Sequence, residues 1–475
     1  MSRPIITSNQ AMQSYFQTAF LAVLLTAAVA TGLVMNATVQ AEEPAAKEAP
    51  RAVDAIAKPK LKPNIIFVVA DDMGWQDTGF SGNQVVKTPH LDSMAASALW
   101  FDNFYSAHAT CSPGRMAILT GRTPLRAKMV TTVGPMQDGE ITVATALKTA
   151  GYETAHFGKW GLGREATHPT KVGFDEVIWS KGHYNNGVEF FVGDSDKRDE
   201  KPVKTEGESS IATVKLAIDF IQKRAMRKQP FFVQVSFGSP HGPHIPHEDF
   251  SKLYPDLQES DQNYYGEISG LDAAVGNLRQ ELRRLKIEDN TILWFVSDNG
   301  GIREGSGGKS KGQIGVRTTG LLEWPNKITK PMRTTIPVSH MDMYPTVLDI
   351  VGITLKHQPV IDGTSIVKLI EGKMKQRNKP IGFIRGGKVA PETPNICKTS
   401  DAVWIDGKYK LRLTQAKKNK PQRTTLHDIF ADLTEQENLA DQQPEKVQKM
   451  LNALALWRKS VQASYAGKDY KRNQK

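Results

Sequence analysis

Three short stretches carry side chains able to do chemistry together: Asp71-Asp72, Cys111-Ser112-Pro113-Gly114-Arg115 and Asp298-Asn299-Gly300. Carboxylates and a carboxamide are hard oxygen donors. With no His/Cys pairing beside them they suit Ca²⁺ or Mg²⁺ rather than zinc. Each acidic stretch taken alone also reads as a turn, because Asp-Asp can cap the end of a strand and Asp-Asn-Gly is a common reversal. They become one site only if the fold brings distant positions to one edge.

The elements that would do so are legible. Asn64–Ala70 is a continuous apolar run flanked by Pro63 and Asp71-Asp72, which suits a parallel strand buried on both faces with its carboxyl end at the acids. Similar runs recur at residues 231–237 and 291–297, with helical periodicity at 211–224 and 265–285 between them. Thr88-Pro89 is expected to supply an N-cap and first position for a helix over 91–98. Strands alternating with helices predict an α/β fold: a large, doubly wound, mostly parallel or mixed sheet flanked by helices, with ligands bound off the strand ends. Beyond Thr354 the pattern changes. Strand candidates at 402–405 and 409–413, a turn at Asp406-Gly407 and a final helix over 444–460 predict a smaller C-terminal α+β subdomain.

The chain has 475 residues, 39% hydrophobic and 23% charged, enough to bury a sizeable core. This composition excludes a small disulfide scaffold and a membrane bundle. Cys111 and Cys397 form no C-x-x-C pair. At the N-terminus, Arg3, the uncharged run 19–35 and Val39-Gln40-Ala41 have the layout of a secretory signal over residues 1–41, cut after Ala41. The alternative is an uncleaved anchor. Residues 42–62, rich in Ala, Pro, Lys and Glu, read as a tether, followed by a catalytic domain over 63–354 and a C-terminal unit over 355–475. The expected location is therefore periplasmic or secreted, with no stable membrane insertion after cleavage.

Formal charge is +11, and +10 without residues 1–41, which hold Arg3 and no acid. That favours a polyanionic partner, unless the excess sits in solvated segments such as Lys417-Lys418-Asn419-Lys420 and the 468–475 tail. Neither a zinc-finger spacing nor an aromatic RNA-binding signature accompanies it, so nucleic acid is not expected.

Through Cys111-x-Pro113-x-Arg115 the chain resembles the sulfatase family, the arylsulfatase-like branch of the alkaline phosphatase superfamily. Residues 63–74, Thr88-Pro-His-Leu-Asp92, Phe101-x-Asn-Phe-Tyr105, Leu119-Thr-Gly-Arg122, Gly158-Lys-Trp160, Pro240-His-Gly-Pro243, Ser297-Asp-Asn-Gly300, Leu426-His-Asp-Ile-Phe430 and Glu437-Asn-Leu439 look like successive blocks of that family. The resemblance runs over about residues 63–463. It implies that a maturation enzyme oxidises Cys111 to formylglycine, whose hydrate supplies the nucleophile. For Cys397, which lacks this context, inert packing is the reading.

The resemblance further implies one Ca²⁺ held by Asp71, Asp72, Asp298 and Asn299, with position 111 beside it. The hydrate attacks sulfur and releases the alcohol. Its second hydroxyl then loses a proton and expels sulfate, which a plain hydroxyl could not do. Arg115, one turn along a helix starting at Ser112, would orient the diol; its other reading is an ordinary surface arginine. Lys159 resembles the lysine on the sulfate oxygens and His241 the histidine beside the leaving group.

Two departures stand out. The family often reads Gly-Lys-Trp-His-Leu-Gly, but here Gly161 replaces the histidine thought to deprotonate the hemiacetal, leaving His108, His168 or His183 as substitutes. Near Gly307–Arg317, Gln313-Ile314-Gly315 replaces Glu-Gly-Gly, so Lys311 is the first choice for a second sulfate-contacting lysine and Lys309 the alternative. The leading expectation is an exported calcium-dependent hydrolase of sulfate monoesters, on sulfated carbohydrate, with aryl sulfates as assay substrates. The alternatives are a phosphodiesterase or phosphonate monoester hydrolase of the same superfamily, since fold does not decide function, and a non-catalytic sulfoglycan binder.

Overall fold

Four parallel strands form the centre of the molecule: β1 (Asn64–Ala70), β2 (Glu153–Lys159), β3 (Phe231–Ser236) and β4 (Thr291–Ser297). They lie side by side in the order β4-β1-β3-β2, with Val68 facing Phe295 on one side and Val235 on the other. The computed structural model describes residues 62–129, 135–163, 165–180, 188–193, 203–303, 316–385, 400–416 and 421–470. Residues 1–61, which cover the expected signal and most of the expected tether, and His183, Lys309, Lys311, Gln313 to Gly315, Cys397 and Lys417 to Lys420 lie outside them.

Every residue of β1, β3 and β4 is buried. Alternation along β1 explains why the run is apolar throughout. Ile65, Phe67 and Val69 join one core with Met116, Ile118, Tyr344 and Val347, while Ile66, Val68 and Ala70 join the other with Val214, Phe220, Leu271 and Val275. Each such side chain contributes about 1.5–3 kcal/mol by leaving water. Outside the parallel centre the sheet turns antiparallel at Gly320–Glu323 and Glu189–Val192, giving a mixed sheet of ten strands among the described residues, flanked by helices.

Helices Ser209–Met226 and Glu259–Arg284 cover one face; the first runs two residues past its periodic stretch at each end, with Glu208 accepting from the Ile211 amide at its start, and the second begins six residues earlier than its stretch and ends one residue short of it. β2 has no continuous apolar run. Its buried polar residues, among them Thr154 and His156, hide it from hydropathy. The helix after β1 has Thr88 at its N-cap and Pro89 at its first position as expected, but it spans Pro89–Ala95 and Thr88 makes no side-chain cap. The Thr88 hydroxyl instead accepts from the Gly79 amide at 2.8 Å and meets Asp92 at 3.0 Å. Asp272, from the Glu259–Arg284 helix, accepts from the His90 and Leu91 amides at 3.1 and 2.7 Å. The helix ends early because Leu99 is claimed by a strand pairing with Leu322.

The C-terminal subdomain is a four-stranded antiparallel sheet, Ile381–Ile384, Ala402–Asp406, Tyr409–Thr414 and Arg423–Asp428, with helix Pro444–Tyr465 on one face. Trp404, Leu411 and Leu426 pack on Met450, Leu454 and Val461. The opposite face, Ile381, Phe383, Val403 and Ile405, packs on Tyr105, Ala107 and Ala117 beside the Cys-x-Pro-x-Arg segment. Among the described residues no helix is long and apolar enough to cross a membrane.

Candidate active site

All four central strands deliver chemistry at their carboxyl ends. Asp71-Asp72 follow β1, Lys159 ends β2, His241 lies five residues past β3, and Asp298-Asn299 follow β4. Asp72 is in the left-handed region (φ 66°), which Asp tolerates better than most residues. In a regular strand, successive side chains would point to opposite faces. This turn lets both carboxylates reach one cluster.

Helix Cys111–Thr120 crosses these strand ends, beginning at Cys111 itself rather than at Ser112. Its fourth residue, Gly114, lies against the backbone carbonyl of Asp298, and the Ser106 hydroxyl donates to that same oxygen at 2.8 Å. Arg115 is fully buried, not a surface arginine. Its Nε donates to Asp298 Oδ2 at 2.8 Å, and its other nitrogens donate to the Lys159 and Phe237 carbonyls at 3.0 and 3.3 Å and lie 3.6 Å from Asp71. One guanidinium thus ties the ends of β2, β3 and β4 together. Lys159 Nζ forms an ion pair with Asp71 Oδ2.

Three carboxylates are therefore buried against two cations. Burial first and the Asp71 charge second push Asp298 up to about 7. An added divalent cation would relieve that excess, and one further oxygen is waiting for it. Asn299 donates from Nδ2 to Asp72 Oδ1 at 2.6 Å and to the Gly300 carbonyl at 2.9 Å, which fixes the amide's orientation. Its Oδ1 is buried with no hydrogen-bond partner among the described residues. Ligand atoms of Asp71, Cys111 and Asp298 lie within 4.8 Å of one another, as do those of Asp71, Asp72 and His241. The donor set fits a hard, oxygen-seeking cation.

Cys111 is partly exposed, and burial first, Asp71 second, push its thiol up while Lys159 pulls the other way. His241 Nε2 stands 3.4 Å from Asp72 Oδ2, and its Nδ1 donates to the Gly242 carbonyl at 2.7 Å. Burial lowers its proton affinity against the pull of Asp71 and Asp72. Gly161 is left-handed (φ 72°), and a Cβ there would stand 3.7 Å from Ser112 Oγ and 3.8 Å from Arg115 Cδ, so the position borders the start of the helix. His108 bonds through Nδ1 to Thr110 Oγ1 at 2.8 Å, three residues before Cys111. His168 is buried edge-on to Trp179 with Nδ1 at 2.9 Å from Thr170 Oγ1.

Sequence reasoning missed the residues that hold this geometry. Ser297 Oγ accepts from the Met73 amide at 2.9 Å and donates to the Asn299 carbonyl at 3.0 Å, locking the β1 and β4 turns together. His340, kept neutral by burial, contacts the Ser297 carbonyl at 2.8 Å. Gly114 and Ser297 stand inside quoted blocks and could have been found there; nothing local signals His340.

Comparisons with known proteins agree with this geometry. The Sulfatase family model matches residues 63–353. N-acetylgalactosamine-6-sulfatase from Homo sapiens is 34% identical over 387 residues, 72% of each chain. Arylsulfatase G from Rattus norvegicus is 28% identical over 66% of this chain and 69% of its own. The crystal structure of Ps i-CgsB in complex with k-i-k-neocarrahexaose superposes with a TM-score of 0.73 at 26% identity, covering 84% of this chain and 93% of that one. With the acids, the cysteine and the cations gathered at one sheet edge, this chain belongs to the sulfatase family and is a sulfuric ester hydrolase.

Proposed function

We propose that this sulfatase is an exported, calcium-dependent enzyme that removes sulfate monoesters from sulfated carbohydrates, with Cys111 matured to formylglycine. The observation that carries the reading is the convergence of Cys111 with the oxygens of Asp71 and Asp298, braced by Arg115 and Lys159.

A sulfate monoester is an anion that repels nucleophiles, so its site must neutralise charge and fix geometry. Asp71, Asp72, Asp298 and Asn299 would hold Ca²⁺, which when bound supplies positive field to the sulfate and to an ionised oxygen nucleophile. Formylglycine at position 111 would supply, as its hydrate, one hydroxyl to displace the alcohol from sulfur and a second whose deprotonation restores the aldehyde as sulfate leaves. Arg115 aims Asp298 and opposes the upward push of burial on its carboxyl. Lys159, at the end of β2, is placed to meet a sulfate oxygen once Asp71 turns to a cation. His241 donates Nδ1–H to Gly242, leaving Nε2 to exchange a proton with the leaving oxygen. Lys311, the remaining assignment, is carried by the family pattern alone.

The carbohydrate substrate is favoured by the names of the relatives, a sugar sulfatase and a protein complexed with a carrahexaose, and by the net positive charge. Export and cleavage after Ala41 rest on the N-terminal pattern.

Intact mass of the tryptic peptide containing residue 111 distinguishes aldehyde from thiol, and the aldehyde is expected. Matured protein should release sulfate from a sulfated oligosaccharide and stop doing so when Cys111→Ala is made in an intact fold. Phosphate esters preferred by about tenfold or more in kcat/KM would move the reading to the phosphonate and phosphodiester branch.

A further inference from the structure

Strand Ile381–Ile384 of the C-terminal sheet runs over the segment that leads into the catalytic helix. Ile381 and Phe383 face it, with the Phe383 ring 6.2 Å from that of Tyr105. The ladder with the neighbouring strand continues one residue past Ile384, the Arg385 amide donating to the Asp401 carbonyl at 2.9 Å. By strand alternation, Arg385 is the next side chain on the face of Ile381 and Phe383. Its charge reaches His108, where, after burial, it helps hold the imidazole down to about 4. His108 sits three residues before Cys111 and bonds Thr110, the residue preceding the catalytic helix.

Among the described residues the guanidinium is only loosely paired. Asp401 lies 3.5 Å away, longer than the roughly 2.7–2.9 Å of a tight charge-assisted bond, and the Arg385 side chain is 43% exposed. Arg115 and Lys159, by contrast, are buried and committed to Asp71 and Asp298. A second, solvent-facing cation therefore stands on the strand face that packs against the segment leading into the Cys111 helix, in the fork geometry that matches planar or tetrahedral oxyanions.

We propose that Arg385 is a specificity-determining residue that receives a second anionic group, a carboxylate or another sulfate, on the sugar bearing the scissile ester or on its neighbour. This rests on the sulfated-carbohydrate reading above and narrows it to polyanionic glycans. A charged hydrogen bond of this kind is worth about ten- to a hundredfold in binding.

The test uses full-length matured enzyme, 4-nitrophenyl sulfate as reporter and short-chain dextran sulfate as competitor at constant ionic strength. Arg385→Gln should raise the dextran sulfate inhibition constant about tenfold or more, with kcat/KM for the aryl ester within about twofold of wild type. Arg385→Lys should recover part of the loss. Arg227→Gln, which removes an exposed cation at the far end of the sheet, controls for general charge and should leave the constant unchanged. Equal inhibition constants for Arg385→Gln and Arg227→Gln, or a parallel fall in aryl turnover, would overturn the assignment. Should wild type release no sulfate, the carbohydrate sulfatase reading fails separately. Arg385 is then judged by the same variant ratio in direct binding of fluorescent dextran sulfate.

Discussion

Gly114 and Asp298 touch so closely that a Cβ built on the glycine would stand 2.0 Å from the Asp298 carbonyl oxygen. The obstacle is backbone, already held by Ser106, so it has little freedom to yield. Gly114→Ala is favoured by about 1 kcal/mol of helix propensity alone. The steric demand outweighs it. The variant should lose at least about 100-fold in kcat/KM, because a shift of the order of 1 Å at a reacting group costs that much. Steady-state kinetics beside a thermal melt checks this; wild-type turnover would show that the helix can stand off from the β4 turn.

Arg115 joins three strand ends through one planar group. Lysine keeps the charge but cannot reach Asp298 and two carbonyls at once. Arg115→Lys is expected to fold and to lose about 100-fold or more in kcat. Arg115→Ala leaves buried carboxylates uncompensated and should also cost about 3–5 kcal/mol in urea unfolding. Equal kinetics for the two variants would mean that charge, not geometry, is what Arg115 supplies.

Three carboxylates crowd two cations at the strand ends, and Asn299 Oδ1 has no hydrogen-bond partner among the described residues. Calcium should therefore raise Tm, by an amount equivalent to about 2.7 kcal/mol at a hundred times its Kd. Chelation should remove both that increment and turnover, with Ca²⁺ restoring them. Asn299→Ala should weaken the response. If metal-free protein, verified by elemental analysis, melts and turns over unchanged, the ligand assignment is lost.

Glu435 clamps the C-terminal sheet, meeting Lys410 at 2.6 Å and Arg412 at 2.8 Å. Burial would raise its carboxyl, but the two cations win and hold it at about 2. A depressed folded-state value means the contribution is fully present above the unfolded value near 4.5 and is lost as pH falls toward 2. It amounts to roughly 3 kcal/mol. Glu435→Gln should lose that at pH 7 and almost nothing near pH 2, flattening the acid limb of stability measured by urea unfolding. A loss of equal size at both pH values would assign the effect to packing.

Much of the framework was legible before the fold. β1 and β4 announced themselves because a strand buried on both faces must be apolar throughout, and the acids at their ends followed directly. β2 did not, since polar Thr154 and His156 interrupt it, and Thr154 is accommodated inside the sheet by donating to the Gly173 carbonyl, which local periodicity does not report. Thr88 and Pro89 do hold the N-cap and first positions of the next helix, but the capping acceptor is Asp272, far along the chain.

By itself the sequence determined the kinds of atoms available: four oxygen-donor residues, one cysteine in a Cys-x-Pro-x-Arg setting, and the strands that end in them. Only the tertiary structure decided that Arg115 is a buried brace rather than a surface charge, that Gly114 is a contact point, and that the strand ending beside Arg385 packs on the segment before Cys111. Composition and spacing act within a few residues of chain, whereas burial, ion pairing and close approach depend on which distant segments the sheet places side by side.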